Sequence, residues 1–199
     1  MANPIDENDQ LAIAVGRSAG RWALVENAIE SLFLQMIGTG VKRASVVFRF
    51  LKNNHAQREV LTSLSEVHLA EQDVLREKLR DLLRRHNTLA EQRNQLFHRP
   101  FGYDTTDESR PIYQMRRDHK AEFPFKRYPV TIADIETFAE EARALFEGLT
   151  EFAREASAQI TPRRDAQLKA LLETHPEPPL DLGQGLLGAF LRPTTTKEA

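Results

Sequence analysis

Apolar residues recur at three- and four-residue spacing over most of the first 160 positions, the period of helices that turn one face to a core. Over about 7–36 the stripe is Val15, Trp22, Val25, Ile29, Leu32, Phe33 and Met36. Gly16 and Gly20 interrupt its early part. Each costs about 1 kcal/mol against alanine in a helix, which predicts a bend there or a close approach by another helix. "IGTG" at 37–40 closes the element with glycines suited to a helix C-terminus. A second helix is expected over about 42–52, on Val46, Val47, Phe50 and Leu51, with a break at "NNH", 53–55. Val60, Leu61, Leu64 and Val67 mark a third. The fourth begins near Ala70, with its join to the third at about 66–71, and carries Val74, Leu75, Leu79, Leu82, Leu83, Leu89, Leu96 and Phe97. Pro100 disfavours helical geometry at the residue before it, so this helix should stop at Arg99.

Past Pro100 the helical period disappears. Turn residues Gly102, Asp104, Asp107 and Pro111 surround a β-prone run at 112–115. A second run, 123–130, contains Pro124 and Pro129 and suits only an edge strand. The segment reads as an irregular insertion or a small hairpin. Thr131 then caps the last core helix, with Asp134 in the partner position of a capping box. Ile135, Phe138, Ala142, Leu145, Phe146, Leu149 and Phe152 form its stripe. The expected fold is therefore all-α, a bundle of about five helices over 1–160. A tail over 161–199 follows, with a short helix at 164–173 and an apolar piece at 186–191 that docks on a neighbour or stays loose.

Composition narrows the function classes. The 199-residue chain has no cysteine, which removes disulfides, zinc-thiolate sites and thiol nucleophiles. A formal net charge of -2 argues against a wholly basic nucleic-acid coat but permits a local basic patch. No apolar run approaches the roughly 20 residues of a membrane span. The polar, acidic start "MANPIDENDQ" is unlike a secretory signal, so a cytoplasmic location is expected. His68 and Glu71 form an H-x-x-E pair without a third ligand, so no metal is expected. "GTG" at 38–40 lacks the strand and lysine of a phosphate loop, so no cofactor is expected either.

The chemistry concentrates in "AEQRNQLFHRP", 90–100. Asn94 and His98 are four apart and share a helix face. Arg93 and His98 are five apart, about 140° around the axis, a gap that an arginine can largely close. A histidine can take or give a proton near neutral pH. Arginine offers a planar fork of donors to phosphate oxygens. Asn94 can orient the imidazole or bind a ribose hydroxyl. Geometry alone leaves two readings: a solvated helix end with His98 capping carbonyls, or a phosphate site. The second suits metal-free RNA cleavage, in which a 2′-OH attacks phosphorus while arginine steadies the equatorial oxygens. One histidine per chain is too few for both an acid and a base, and a symmetric dimer would supply two.

"RNQLFH" matches the R-N-x-x-x-H form of the motif of the HEPN superfamily, and "GRWALVENAIESLFLQMIG" resembles the first long helix of bacterial HEPN-type proteins. The resemblance covers roughly 10–155. It implies a helical bundle that forms a homodimer with the motif helices facing one another. Many members are metal-independent endoribonucleases, often toxins or defence effectors with a cognate antitoxin. Others only bind nucleotides or proteins. The resemblance carries over to Arg93, Asn94 and His98. Some members add an acidic residue from an early helix, for which Glu26, four residues after Trp22, is the candidate. Arg99–Pro100 stands where many relatives have glycine. Arg76, Lys78, Arg80, Arg84, Arg85 and Arg99, with Arg110, Arg116, Arg117, Lys120, Lys126 and Arg127 interleaved by Tyr103, Tyr113, Phe123, Phe125 and Tyr128, would suit single-stranded RNA. The more ordinary reading of the same residues is a solvated helix face and packing of the insertion against the bundle.

Overall fold

The computed structural model describes residues 7–38, 41–51, 53–103, 111–117 and 125–174. The architecture is all-α with a small sheet: α1 (Glu7–Ile37), α2 (Val41–Phe50), α3 (Asn54–His68), α4 (Asp73–Phe97), β1 (Phe101–Tyr103), β2 (Ile112–Arg117), β3 (Phe125–Pro129) and α5 (Ile132–Thr174). The chain divides into two compact units, Met1–Ile160 and Thr161–Ala199. In the second, the described residues, 161–174, are the last part of α5.

The apolar stripes of α1, α4 and α5 account for most of the core of the first unit, whereas Val46, Val47 and Phe50 of α2, Val67 of α3 and Val74 of α4 are exposed, and α2 buries Ala44 and Phe48 instead. Trp22, Val25, Ile29, Leu32, Phe33 and Met36 of α1 are buried together with Leu61 of α3, Leu79, Leu82, Leu83 and Leu89 of α4, and Ile135, Phe138, Leu145, Leu149 and Phe152 of α5. Each such side chain contributes about 1.5–3 kcal/mol on leaving water. Val15 packs against this core only partly buried. α1 and α5 run in the same sense, since Arg17 pairs with Glu136 at 3.4 Å and Gln35 Nε2 donates to the Ala153 carbonyl at 3.0 Å. α4 runs opposite to α5. Lys78 Nζ meets Glu155 at 3.0 Å at one end, and Phe97 packs edge-on against Phe138 at the other. Between them the helices come close: a Cβ on Gly148 would lie 2.9 Å from Leu82.

Several boundaries differ from the sequence reading, each for a local reason. Gly16 and Gly20 neither break α1 nor admit a neighbour, because a Cβ at either would meet nothing within 4 Å. The stop after α1 is as expected, with Gly38 at φ 71°. The break between α2 and α3 ends earlier than the expected 53–55: Asn53 is the N-cap of α3, its side chain accepting the Ala56 N–H at 2.8 Å, and the helix starts at Asn54. α5 continues through Pro162 to Thr174 where a separate short helix was expected. A proline in a helix removes one backbone donor but does not oblige the chain to stop. The apolar piece at 186–191 lies outside the described residues.

The insertion is ordered as a three-stranded antiparallel sheet, β1-β2-β3. β1 was not expected. Its three residues pair Phe101 with Gln114 and Tyr103 with Ile112, too short a run to leave a period. Pro129 sits in an outer strand, where its missing N–H costs no ladder bond. The central strand is fastened to the end of α4. Gln114, 3% exposed, donates from Nε2 to the Leu96 carbonyl at 3.3 Å, and the Met115 N–H donates to the Pro100 carbonyl at 2.9 Å. Thr131 and Asp134 form the expected capping box, with the Thr131 N–H donating to Asp134 Oδ2 at 2.8 Å and the Asp134 N–H to Thr131 Oγ1 at 3.1 Å.

Candidate functional site

The buried positions of α4 are Leu79, Leu82, Leu83, His86, Leu89, Ala90 and Leu96. Spacing of three and four carries that stripe through residue 93, so Arg93 stands where the helix would place an apolar side chain. Its side chain is 31% exposed, and its Nε is buried without a hydrogen-bond partner. The cation is therefore largely withdrawn from water, and what its remaining donors meet decides what it can bind.

Those donors meet the other three residues singled out in the sequence. Arg93 Nη1 lies 3.3 Å from His98 Nε2 and donates to Asn94 Oδ1 at 3.2 Å. Arg93 Nη2 lies 3.8 Å from Glu26 Oε1, across the interface with α1. Because guanidinium nitrogens only donate, His98 Nε2 is the acceptor in this contact, which puts the proton of a neutral ring on Nδ1. Asn94 orients the guanidinium here, whereas a role toward the imidazole was also open. His98 follows the last helical residue as the C-cap, with φ −103° and ψ 4°, and its N–H donates to the Asn94 carbonyl at 3.3 Å. Asn94 and His98 are exposed, and Glu26 is half-exposed. The group thus has one face open to solvent and one sealed against the bundle.

Two residues beneath the site were not assigned a part in it from the sequence. Trp22 Nε1 donates to Glu26 Oε1 at 2.7 Å. Its ring stacks on His86, with centroids 5.3 Å apart and planes 16° from parallel, and leans on Phe138 at 6.2 Å. His86 is 1% exposed, and burial, aided by the nearby Arg58 charge, pushes its pKa down to about 4. Its Nδ1 has no partner. The signal was present: the apolar spacing of α4 puts both His86 and Arg93 on the core stripe.

The basic patch on α4 is mostly neutralised. Arg76 pairs with Asp73, Lys78 with Glu151 and Glu155, Arg80 with Glu66 and Glu77, and Arg84 with Asp81. Two tyrosines offered as stacking platforms are already faced by cations of this chain, Arg99 over Tyr128 at 5.3 Å and Arg127 over Tyr113 at 5.7 Å. Arg110, Lys120 and Phe123 lie outside the described residues. On another side of α4, Gln92, Gln95, Gln114, Asp134 and Glu141 contribute to a cleft of about 280 Å³. Its two carboxylates and absence of a cation among the lining residues make it unsuited to phosphate. Among the described residues no three His, Asp or Glu side chains are grouped to hold a metal ion, and no helix is long and apolar enough to cross a membrane. No protein-family model, curated protein or solved structure matches the chain.

Proposed function

We propose that Arg93, Asn94, His98 and Glu26 form one half of the site of a HEPN-type, metal-independent endoribonuclease, completed by a second copy in a homodimer. The observation that carries the reading is the convergence of a half-withdrawn guanidinium on an imidazole at 3.3 Å, beside a carboxylate at 3.8 Å. An arginine with its Nε sealed off and, among the described residues, one loosely held carboxylate across from it is undercompensated, and a phosphate would supply the missing charge.

In the proposed reaction a base takes the proton from a ribose 2′-OH, whose oxygen attacks the adjacent phosphorus. The P–O5′ bond breaks as an acid protonates the departing oxygen, leaving a 2′,3′-cyclic phosphate and a 5′-hydroxyl. Arg93 holds the non-bridging oxygens as charge gathers on them. His98 of one copy acts as base and that of the other as acid, which removes the shortage of one histidine per chain. Such a protein fits a cytoplasmic toxin or defence effector, with RNA as substrate and a cognate antitoxin as partner.

The test is incubation of purified protein with RNA in EDTA, followed by end-group analysis. Cleavage with cyclic phosphate ends is expected, falling at least about 100-fold in Arg93→Ala and in His98→Ala. Metal dependence, or activity unaffected by either substitution, would refute the reading. A second reading, nucleotide binding without chemistry, draws on the Arg93–His98 contact itself, which occupies the Nε2 lone pair that a base would need. Under that reading nucleotides protect the fold while no RNA is cut.

A further inference from the structure

We propose that Trp22 is a positioning residue whose indole N–H fixes Glu26 against Arg93 and so sets the direction in which the guanidinium presents its free edge. The inference rests on the reading of Arg93 and His98 as the reacting cluster, and goes beyond it by assigning a part to a residue beneath them.

The geometry forms a continuous chain. His86 supports the Trp22 ring from α4 by a near-parallel stack at 5.3 Å, and Phe138 supports it from α5 at 6.2 Å. Trp22 is 2% exposed, so its N–H must find a partner inside the protein, and that partner is Glu26 Oε1 at 2.7 Å. The same oxygen faces Arg93 Nη2 at 3.8 Å. Arg93 Nη1 then reaches His98 Nε2 at 3.3 Å. Glu26 is half-exposed and would otherwise turn freely toward water. A hydrogen bond from a buried ring removes that freedom. A carboxylate left free could either close on the guanidinium or leave it, and both would change how the site meets a phosphate. Packing alone needs a large ring at position 22. It does not need the N–H to end on a carboxylate that faces Arg93.

Trp22 is the single tryptophan of the chain, so its indole N–H gives one resonance with no overlap. In the wild type that proton should appear downfield and exchange slowly, and it should move upfield in Glu26→Ala. It should also shift in Arg93→Ala and on titration with inorganic phosphate. Trp22→Phe keeps a ring against His86, removes the donor and leaves a gap where the second ring of the indole stood. Its melting temperature should fall while the fold is retained, and kcat should fall about tenfold or more with KM changing far less. An indole resonance that ignores Glu26→Ala, or a folded Trp22→Phe that cleaves RNA like the wild type, would overturn the proposal. If the wild type cleaves no RNA, the nuclease reading falls, and the indole resonance alone decides the clamp. If Trp22→Phe does not fold, Glu26→Ala decides it in the same way.

Discussion

His86 should make the stability of this protein depend on pH well above the range where carboxylates titrate. The imidazole is 1% exposed, stacked on Trp22, with Nδ1 unpartnered and the Arg58 charge nearby. Burial and that charge lower its pKa from 6.5 to about 4. Between those values the unfolded chain takes up a proton that the folded chain refuses. Stability is therefore fully present above about pH 6.5 and is lost as the pH falls toward 4. The two values stand about 2.5 apart, and each pH unit is worth about 1.4 kcal/mol, so the loss is about 3 kcal/mol. That is a large part of the 5–15 kcal/mol typical of a folded domain.

The assay is urea unfolding at a series of pH values from 7.5 to about 4.5, for the wild type and for His86→Phe. Phenylalanine keeps a ring against Trp22 and removes the titrating group. Every other titrating group is present in both proteins and cancels in the difference. The wild type should lose stability relative to the variant steadily below pH 6.5, by about 2–3 kcal/mol at the acid end. Two curves that remain parallel from pH 7 to 5 would refute the reasoning, since His86 would then accept its proton as readily in the folded protein as in the unfolded one.

Three further predictions follow from single residues. Arg93→Leu should raise the melting temperature by about 2–4 °C, roughly 1 kcal/mol for a chain of this size, because it restores the apolar stripe while Glu26, Asn94 and His98 remain open to water. It should abolish phosphate binding at the same time, and a fall in melting temperature would show that the cation stabilises the fold. Thr131→Ala should cost about 1 kcal/mol in urea unfolding at neutral pH. Backbone and side-chain hydrogen bonds from Thr131 hold the Asp134 carboxyl below its ordinary pKa, so this contribution is present at neutral pH and lost as the pH falls through that lowered value. Gly20→Ala should stabilise by up to about 1 kcal/mol, since a Cβ there meets nothing within 4 Å. A loss of stability that grows with protein concentration would instead show that another copy packs on that face of α1.

The fold was legible where burial imposes a period. The stripes of α1, α4 and α5 name most of the core because each helix meets several neighbours through one face, though they miss Leu11, Ala14, Phe48, Leu69 and Ile160. Legibility failed where structure depends on distant partners. β1 is held by pairing with β2 and by the carbonyl of Pro100, and neither leaves a pattern in "FGY". The glycines of α1 predicted a bend or a close approach, and of the two the close approach is not found, since composition cannot say which face of a helix has a neighbour. The α4 cations read as a basic surface only until Glu66, Glu151 and Glu155 arrive from α3 and α5. The candidate site divides the same way. Arg93, Asn94 and His98 share one helix end and could be read together, and Glu26 could be named only through a resemblance. That Glu26 faces Arg93 through a carboxylate held by Trp22 depends on how α1 lies on α4.

The insertion is fastened to the end of α4 that carries His98. α4 ends at Phe97, and His98 is the first residue beyond its regular hydrogen bonding, a place where helices ordinarily fray. Yet His98 must stay within 3.3 Å of a guanidinium rooted one turn earlier. Two bonds from β2 prevent the fraying: Gln114 takes the Leu96 carbonyl, which the helix itself leaves unsatisfied, and the Met115 N–H takes that of Pro100. They bracket His98 on both sides. Pro100 fits the same arrangement, because it stops the helix and leaves its carbonyl to the strand. The sheet also turns Tyr113 and Tyr128 toward Arg127 and Arg99, which leaves those rings less available to stack on bases. On this argument Gln114, buried and distant in sequence from the motif, helps to hold the helix end that carries the imidazole.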